Sequence, residues 1–210
     1  MNKKILAVLV MAAAAGLGLT LSQRYFGAEK TTAPAPAPVM QTANVIAVPR
    51  ALPAFSLQSA GGTLSAENLK GSWTLVFIGF THCPDICPTT LTDLAKTQAI
   101  WAKSDIPNKP KLLFLSIDPD RDTPEVLAKY AAFFSKDTIT ATAPEPQLAE
   151  FTRALGLVYM KVPQGETYTM DHSATLVLLN PNAEFAGIIR PPLNPQAIAQ
   201  DLLTLSKNPS

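Results

Sequence analysis

Cysteine and histidine are scarce in this chain of 210 residues: it holds two of each, Cys83 and Cys87, His82 and His172. A zinc site with four donors of these types would have to use all of them. No cysteine stands near position 20, which excludes a lipid-modified N-terminal cysteine. The net charge is +1 and no basic stripe runs along the chain, which argues against a nucleic-acid partner. No stretch repeats another. Charge is also missing from one particular place, the apolar run from Ile5 to Leu21.

That run follows Lys3 and Lys4 and stops at Gln23 and Arg24. At a rise of about 1.5 Å per residue it makes a helix near the lower limit for crossing a bilayer, which takes roughly 17–25 residues. The lysines ahead of it predict an N-terminus kept in the cytoplasm and a body exported. The alternative is a cleaved secretory signal with an A-x-A site among Ala12 to Ala15, but this leaves only about seven apolar residues before the cut. Residues 1–27 are therefore expected to form a cytoplasmic N-terminus and membrane anchor, or else a signal sequence. From 28 to 44 the composition shifts, and Thr32-Ala33-Pro34-Ala35-Pro36-Ala37-Pro38 favours extended polyproline II, a semi-rigid spacer. Residues 45–210 have the length of one domain with a single core.

Within that body, short strand-like runs alternate with longer helical ones. Thr74 to Phe80 and Lys111 to Ile117 are continuously apolar, as strands buried on both faces are. After the first, Leu91, Leu94, Ala95 and Gln98 recur at helical spacing up to Trp101. After the second, Pro124 opens a helix through Val126, Leu127, Tyr130 and Phe134, and a shorter one fits Gln147 to Leu155. Ala174 to Leu179 and Glu184 to Arg190 are strands joined by Asn180-Pro181-Asn182-Ala183, a hairpin signal. Pro195 starts the last helix, Gln196 to Leu205. This order predicts an α/β fold, a mixed β-sheet flanked by helices, and it is similar to the order of a thioredoxin-like fold.

The two cysteines fall at the carboxyl end of the first central strand, where sites form in open α/β sheets. In Cys83-Pro84-Asp85-Ile86-Cys87 they stand at i and i+4, which on a helix share a face with Cβ atoms roughly 5–6 Å apart. Sulfurs so placed close on one soft metal ion, or on each other as a disulfide. Outside the cytoplasm cysteines do one or the other. A third donor is expected from His172, because the loop before the Ala174 strand lies across from the cysteine loop in such a sheet. His82 directly precedes Cys83 and is expected to point away from it. Two thiolates and one neutral imidazole form a soft set of low coordination that suits Cu(I), and thiolates also accept Cu(II).

Three motifs then carry a resemblance. Phe80-Thr81-His82-Cys83-Pro84-Asp85-Ile86-Cys87-Pro88, Ser116-Ile117-Asp118-Pro119-Asp120-Arg121-Asp122-Thr123-Pro124 and Asp171-His172-Ser173 resemble the SCO/SenC family of copper chaperones for cytochrome c oxidase assembly. The resemblance implies a thioredoxin-like domain tethered to the inner membrane by a single pass, with its body in the periplasm. It further implies copper held by Cys83, Cys87 and His172, a redox-active Cys83–Cys87 disulfide, and delivery to the copper-centre subunit of the oxidase alongside other copper chaperones. Asp118 is implied near the site, acting on the ligands rather than on the metal, since a carboxylate is a poor Cu(I) ligand. Met170, next to the histidine motif, is read as packing.

Copper loading needs both sulfurs reduced and deprotonated, so a thioredoxin-like reductant is an expected partner. The start of the helix is expected to favour thiolate through its dipole. The alternative is an enzyme, a thiol-disulfide oxidoreductase that reduces the oxidase's copper-site cysteines. Redox enzymes of this fold use C-x-x-C and a cis-proline in the opposing loop. Here the gap is three residues and the loop offers His172, so a metallochaperone is the preferred reading.

Overall fold

Strand and helix alternate where apolar runs and helical spacings predict them, with further strands between. The computed structural model describes Asn2 and residues 39–207. In chain order the elements are β1 (Ala43–Arg50), β2 (Leu57–Ser59), β3 (Gly62–Leu64), α1 (Ala66–Leu69), β4 (Thr74–Gly79), α2 (Ile86–Ala102), β5 (Lys111–Ser116), α3 (Pro124–Phe134) and β6 (Thr138–Ala141). There follow α4 (Gln147–Ala154), β7 (Tyr159–Gln164), β8 (Thr167–His172), β9 (Leu176–Leu179), β10 (Phe185–Ile189) and α5 (Pro195–Lys207). The expected anchor and most of the expected spacer lie outside the described residues. Among the described residues no helix is long and apolar enough to cross a membrane.

Six strands form the main sheet in the order β1-β10-β9-β4-β5-β6. β4, β5 and β6 are parallel, while β9 runs antiparallel to β4, β10 to β9 and β1 to β10. This is the mixed sheet of a thioredoxin-like fold. Every residue of β4 and β9 is buried, which is why both read as unbroken apolar runs rather than alternating ones. α2 lays Leu91, Leu94, Thr97, Gln98 and Trp101 into the core, each large apolar side chain contributing about 1.5–3 kcal/mol by leaving water. Thr123 caps α3 by accepting from Val126 N–H, with Pro124 in the first turn.

The turn between β9 and β10 falls where Asn180-Pro181-Asn182-Ala183 places it. The Asn180 side-chain oxygen accepts from Asn182 and Glu184 N–H, both at 3.0 Å, and holds Ala183 at a φ of 62°. β1 begins at Ala43, two residues ahead of the expected start of the body. Buried Asp201 of α5 secures its entry, accepting from the backbone N–H of Gln41, Thr42 and Ala43 at 2.7–2.9 Å. β7 and β8 form a separate two-stranded sheet whose last residue is His172.

Candidate metal centre

β4 delivers the chain to the rim of the sheet and ends in Gly79, with reason. A Cβ there would stand 2.8 Å from Cys87 Sγ, 3.1 Å from Phe114 Cε2 and 3.3 Å from Phe77 Cζ. The missing side chain is the space the Cys87 sulfur occupies. A glycine inside an apolar strand was the signal available for this, since it marks a close approach.

The chain then turns, Cys83 N–H donating to Phe80 O at 3.3 Å, and α2 starts at Ile86. Cys87 is therefore in the first helical turn and wholly buried, while Cys83 lies just ahead of the helix, half-buried. The Cys83 sulfur accepts from Cys87 N–H at 3.4 Å, serving one of the backbone donors that a helix start leaves free. Both thiols are free.

His172 reaches the pair from 85 residues away, its Nε2 3.7 Å from Cys87 Sγ. Its Nδ1 lies 3.0 Å from Ser173 O. Donation of Nδ1–H to that carbonyl leaves the Nε2 lone pair facing the sulfur, the tautomer a metal ligand needs. Phe77 and Phe80 stand edge-on to the imidazole, at 6.4 and 6.3 Å between ring centres. His82 goes elsewhere: its exposed ring lies 3.1 Å from Thr81 Oγ1 and 3.9 Å from Asp122. Met170 is buried in the core.

One loop braces both halves of this arrangement. Asp122, fully buried, accepts from Thr81 N–H at 2.9 Å and from the hydroxyls of Thr81 and Ser116 at 2.5 Å, fixing the approach to Cys83. Asp118, equally buried, accepts from Tyr168 O–H at 2.8 Å and from Arg121 Nε at 2.5 Å. Arg121 also donates to the Tyr168 carbonyl at 3.2 Å and lies 3.8 Å over the Tyr168 ring. Tyr168 belongs to β8, so Asp118 grips the strand that ends in His172. Ligand atoms of His82, Asp118 and Asp122 fall within 4.8 Å of one another, yet both carboxylates are already engaged by these protein donors.

Burial pushes the Cys87 thiol well above its ordinary range, and the neighbouring Cys83 and Asp122 push the same way against a Phe80 backbone donor. The expectation that the helix start would favour thiolate is overturned at Cys87, because desolvation outweighs the dipole. A soft cation entering between the sulfurs would have to drive that proton off. What the rim offers is two sulfurs and one imidazole nitrogen, with aromatic edges around them and apolar Ile86, Val158 and Met160 exposed nearby.

Comparison with known proteins shows the family. A family described as SCO1/SenC matches residues 47–207. A protein of Stutzerimonas stutzeri whose name refers to copper binding is 37% identical over 161 residues, which make up 74% of this chain and 78% of that protein. The human protein named as a mitochondrial SCO1 homologue is 35% identical over 136 residues, 62% of this chain and 44% of its own length, so the match spans under half of it. Among solved structures, copper-bound ScoI of Arabidopsis thaliana is 30% identical with a TM-score of 0.66, covering 74% of this chain and 95% of that one. Copper-bound ScoI of Bradyrhizobium japonicum is 31% identical with a TM-score of 0.65, covering 73% and 99%. With its family match running through all three motifs, this chain belongs to the SCO1/SenC family.

Proposed function

We propose that this protein is a metallochaperone that carries one copper ion between Cys83 Sγ, Cys87 Sγ and His172 Nε2 and helps build the copper centre of cytochrome c oxidase. The observation that carries the reading is the 3.7 Å approach of His172 Nε2 to the Cys87 sulfur. Together the three groups make a soft set of low coordination suited to Cu(I), and copper-bound relatives of similar fold support it. Asp118 acts through Tyr168 and the strand bearing His172, and does not touch the metal.

The body works in the periplasm, tethered to the inner membrane by residues 1–27 through the spacer 28–44. A thioredoxin-like reductant keeps Cys83 and Cys87 as thiols, and other copper chaperones supply or share the metal. An acceptor approaches over the shallow depression of about 370 Å³ that is lined by Val158, Tyr159, Met160, Asp171, His172 and Ser173.

The test is copper stoichiometry of the reduced full-length protein in detergent, with Cys83→Ser, Cys87→Ser and His172→Ala in turn. One copper per chain is expected for the parent and loss of retention for each variant. A His172→Ala protein that holds copper as tightly as the parent would sink the three-ligand site. The second reading, a thiol-disulfide oxidoreductase acting on the oxidase's cysteines, draws on two adjacent free thiols, one of them half-exposed. It predicts that His172→Ala keeps disulfide exchange intact.

A further inference from the structure

The β7–β8 hairpin is mostly exposed on both strands, so individual polar bonds to the body decide where it stands, and one of them lies directly beside the imidazole. Tyr159 and His172 form the terminal register pair of β7 and β8, so their side chains leave the same face of the ribbon with Cβ atoms roughly 4.5–5.5 Å apart. From that face His172 Nε2 comes within 3.7 Å of the Cys87 sulfur, while the Tyr159 hydroxyl donates to the Glu145 carboxylate. Glu145 lies outside the hairpin, between β6 of the main sheet and α4. It follows wholly buried Ala143 and is flanked by Pro144 and Pro146, whose rings restrict the backbone. The carbonyls of those prolines accept from Leu148 and Glu150 N–H at 3.2 and 3.0 Å, fastening the segment to the start of α4. The Tyr159 ring packs against the core. Burial first, and then the bond to Glu145, push its phenol well above the ordinary range, so it stays a donor. Tyr168, which reaches Asp118, is four residues back along β8, about 13 Å from His172 at roughly 3.3 Å per residue. The Tyr159 bond is the nearer restraint.

We propose that the Tyr159–Glu145 hydrogen bond is the latch that holds the hairpin closed and sets His172 beside Cys87. This rests on His172 being a copper ligand. Tyr159 is a positioning residue: it touches neither sulfur nor metal and acts through its cross-strand neighbour. With the bond made, the strand that carries His172 is fixed at its base to the segment entering α4, and the third donor stands at the sulfurs. With the bond broken, the base of the hairpin is freer to swing out, and Cu(I) is held by two sulfurs alone for a larger share of the time. Withdrawal of His172 during copper release then requires this bond to open. Partners of a ligand outside its contact with the metal orient it in this way.

The test is Cu(I) affinity of the reduced full-length protein, read by competition with a chromophoric chelator. Tyr159→Phe keeps the ring and its packing but removes the donor, and affinity should fall about tenfold. Glu145→Ala removes the acceptor and should do the same, whereas Glu145→Gln keeps an accepting oxygen and should restore most of the loss. The Tyr159→Phe, Glu145→Ala double variant should be no weaker than either single one, as two ends of one bond require. In a His172→Ala background, Tyr159→Phe should leave the residual affinity unchanged, because the latch acts only through the imidazole. A further tenfold loss in that background would mean a general loosening of the fold and would overturn the proposal. Parent-like affinity in Tyr159→Phe and Glu145→Ala, with copper lost in His172→Ala, overturns the latch and leaves the three-ligand site standing. Copper retained by His172→Ala overturns the site and this inference with it.

Discussion

Replacing Gly79 by alanine tests the centre at its tightest point. The added carbon would lie 2.8 Å from Cys87 Sγ, closer than non-bonded atoms come, with Phe114 at 3.1 Å and Phe77 at 3.3 Å blocking retreat on two other sides. Both rings are buried and stacked on each other at 5.6 Å, so they have little freedom to shift. The sulfur, which needs only a rotation about one bond, is what moves. Overpacking of this kind costs about 1–3 kcal/mol, and at roughly 2–4 °C per kcal/mol for a chain of this size the melting temperature should drop by roughly 2–12 °C. Rotation also takes Cys87 Sγ out of line with His172 Nε2, now 3.7 Å away, so Cu(I) affinity should fall by about tenfold or more. The matched control is Gly61→Ala, where a Cβ meets nothing within 4 Å and the change should stay within about 0.5 kcal/mol. Thermal melting and chelator competition read both effects. A Gly79→Ala protein with the parent's melting temperature and copper affinity would refute the claim that this glycine makes room for the sulfur.

Tyr168→Phe removes one of the donors to buried Asp118, which should cost about 1–3 kcal/mol; hydrogen exchange across β7 and β8 should quicken while β4 is unaffected, and unchanged exchange in the hairpin would count against the brace. The thiol of Cys87 gives a pH dependence of defined sign. Its folded value lies above the ordinary 9.0, so its stabilising contribution is whole below pH 9 and is lost above it at about 1.4 kcal/mol per pH unit. Denaturant midpoints of the reduced, metal-free protein should therefore fall from pH 9 upward, less steeply in Cys87→Ser. Because loading expels the same proton, Cu(I) affinity should rise as pH goes from 6 to 8, and a flat profile would mean that Cys87 is not deprotonated on binding.

What was legible in the sequence was what burial writes into composition. β4, β5 and β9 are enclosed on both faces and read as unbroken apolar runs, and α2 to α5 announce themselves by spacing and by Pro124 and Pro195 near their starts. β1 was hidden because only Ala43 of its eight residues is buried and because it carries Pro49, which an edge strand tolerates. Its attachment comes from Asp201, some 160 residues away, and no local pattern reports such a bond. The β7–β8 hairpin was missed for a related reason: Met170 is its one buried residue, and its turn depends on Gly165 at a φ of 62°. The convergence of Cys83, Cys87 and His172 at one rim followed from strand order, whereas the places of Gly79 and Tyr168 depend on which side chains meet across the sheet. The protonation of Cys87 was misjudged because the helix dipole is visible in sequence and the depth of burial is not.

The three proposed donor groups are not held with equal firmness, which would give the centre a direction of opening. Cys87 is rooted in the first turn of α2, where the surrounding side chains are excluded from water and local opening requires disrupting the main core. His172 instead ends a two-stranded sheet outside the main one, mostly exposed on both strands. That hairpin is held at its side by the Asp118–Arg121–Tyr168 contacts and at its base by the Ser173–Val158 backbone bond of 3.0 Å. Few buried apolar contacts mean a small free energy of local opening. Of the three groups proposed to hold copper, the imidazole, also the weaker donor to a soft cation than either thiolate, is therefore the one whose withdrawal would cost least. For the copper carriage proposed above, this distribution of packing favours capture by the two sulfurs followed by closure of the hairpin, and release in the reverse order.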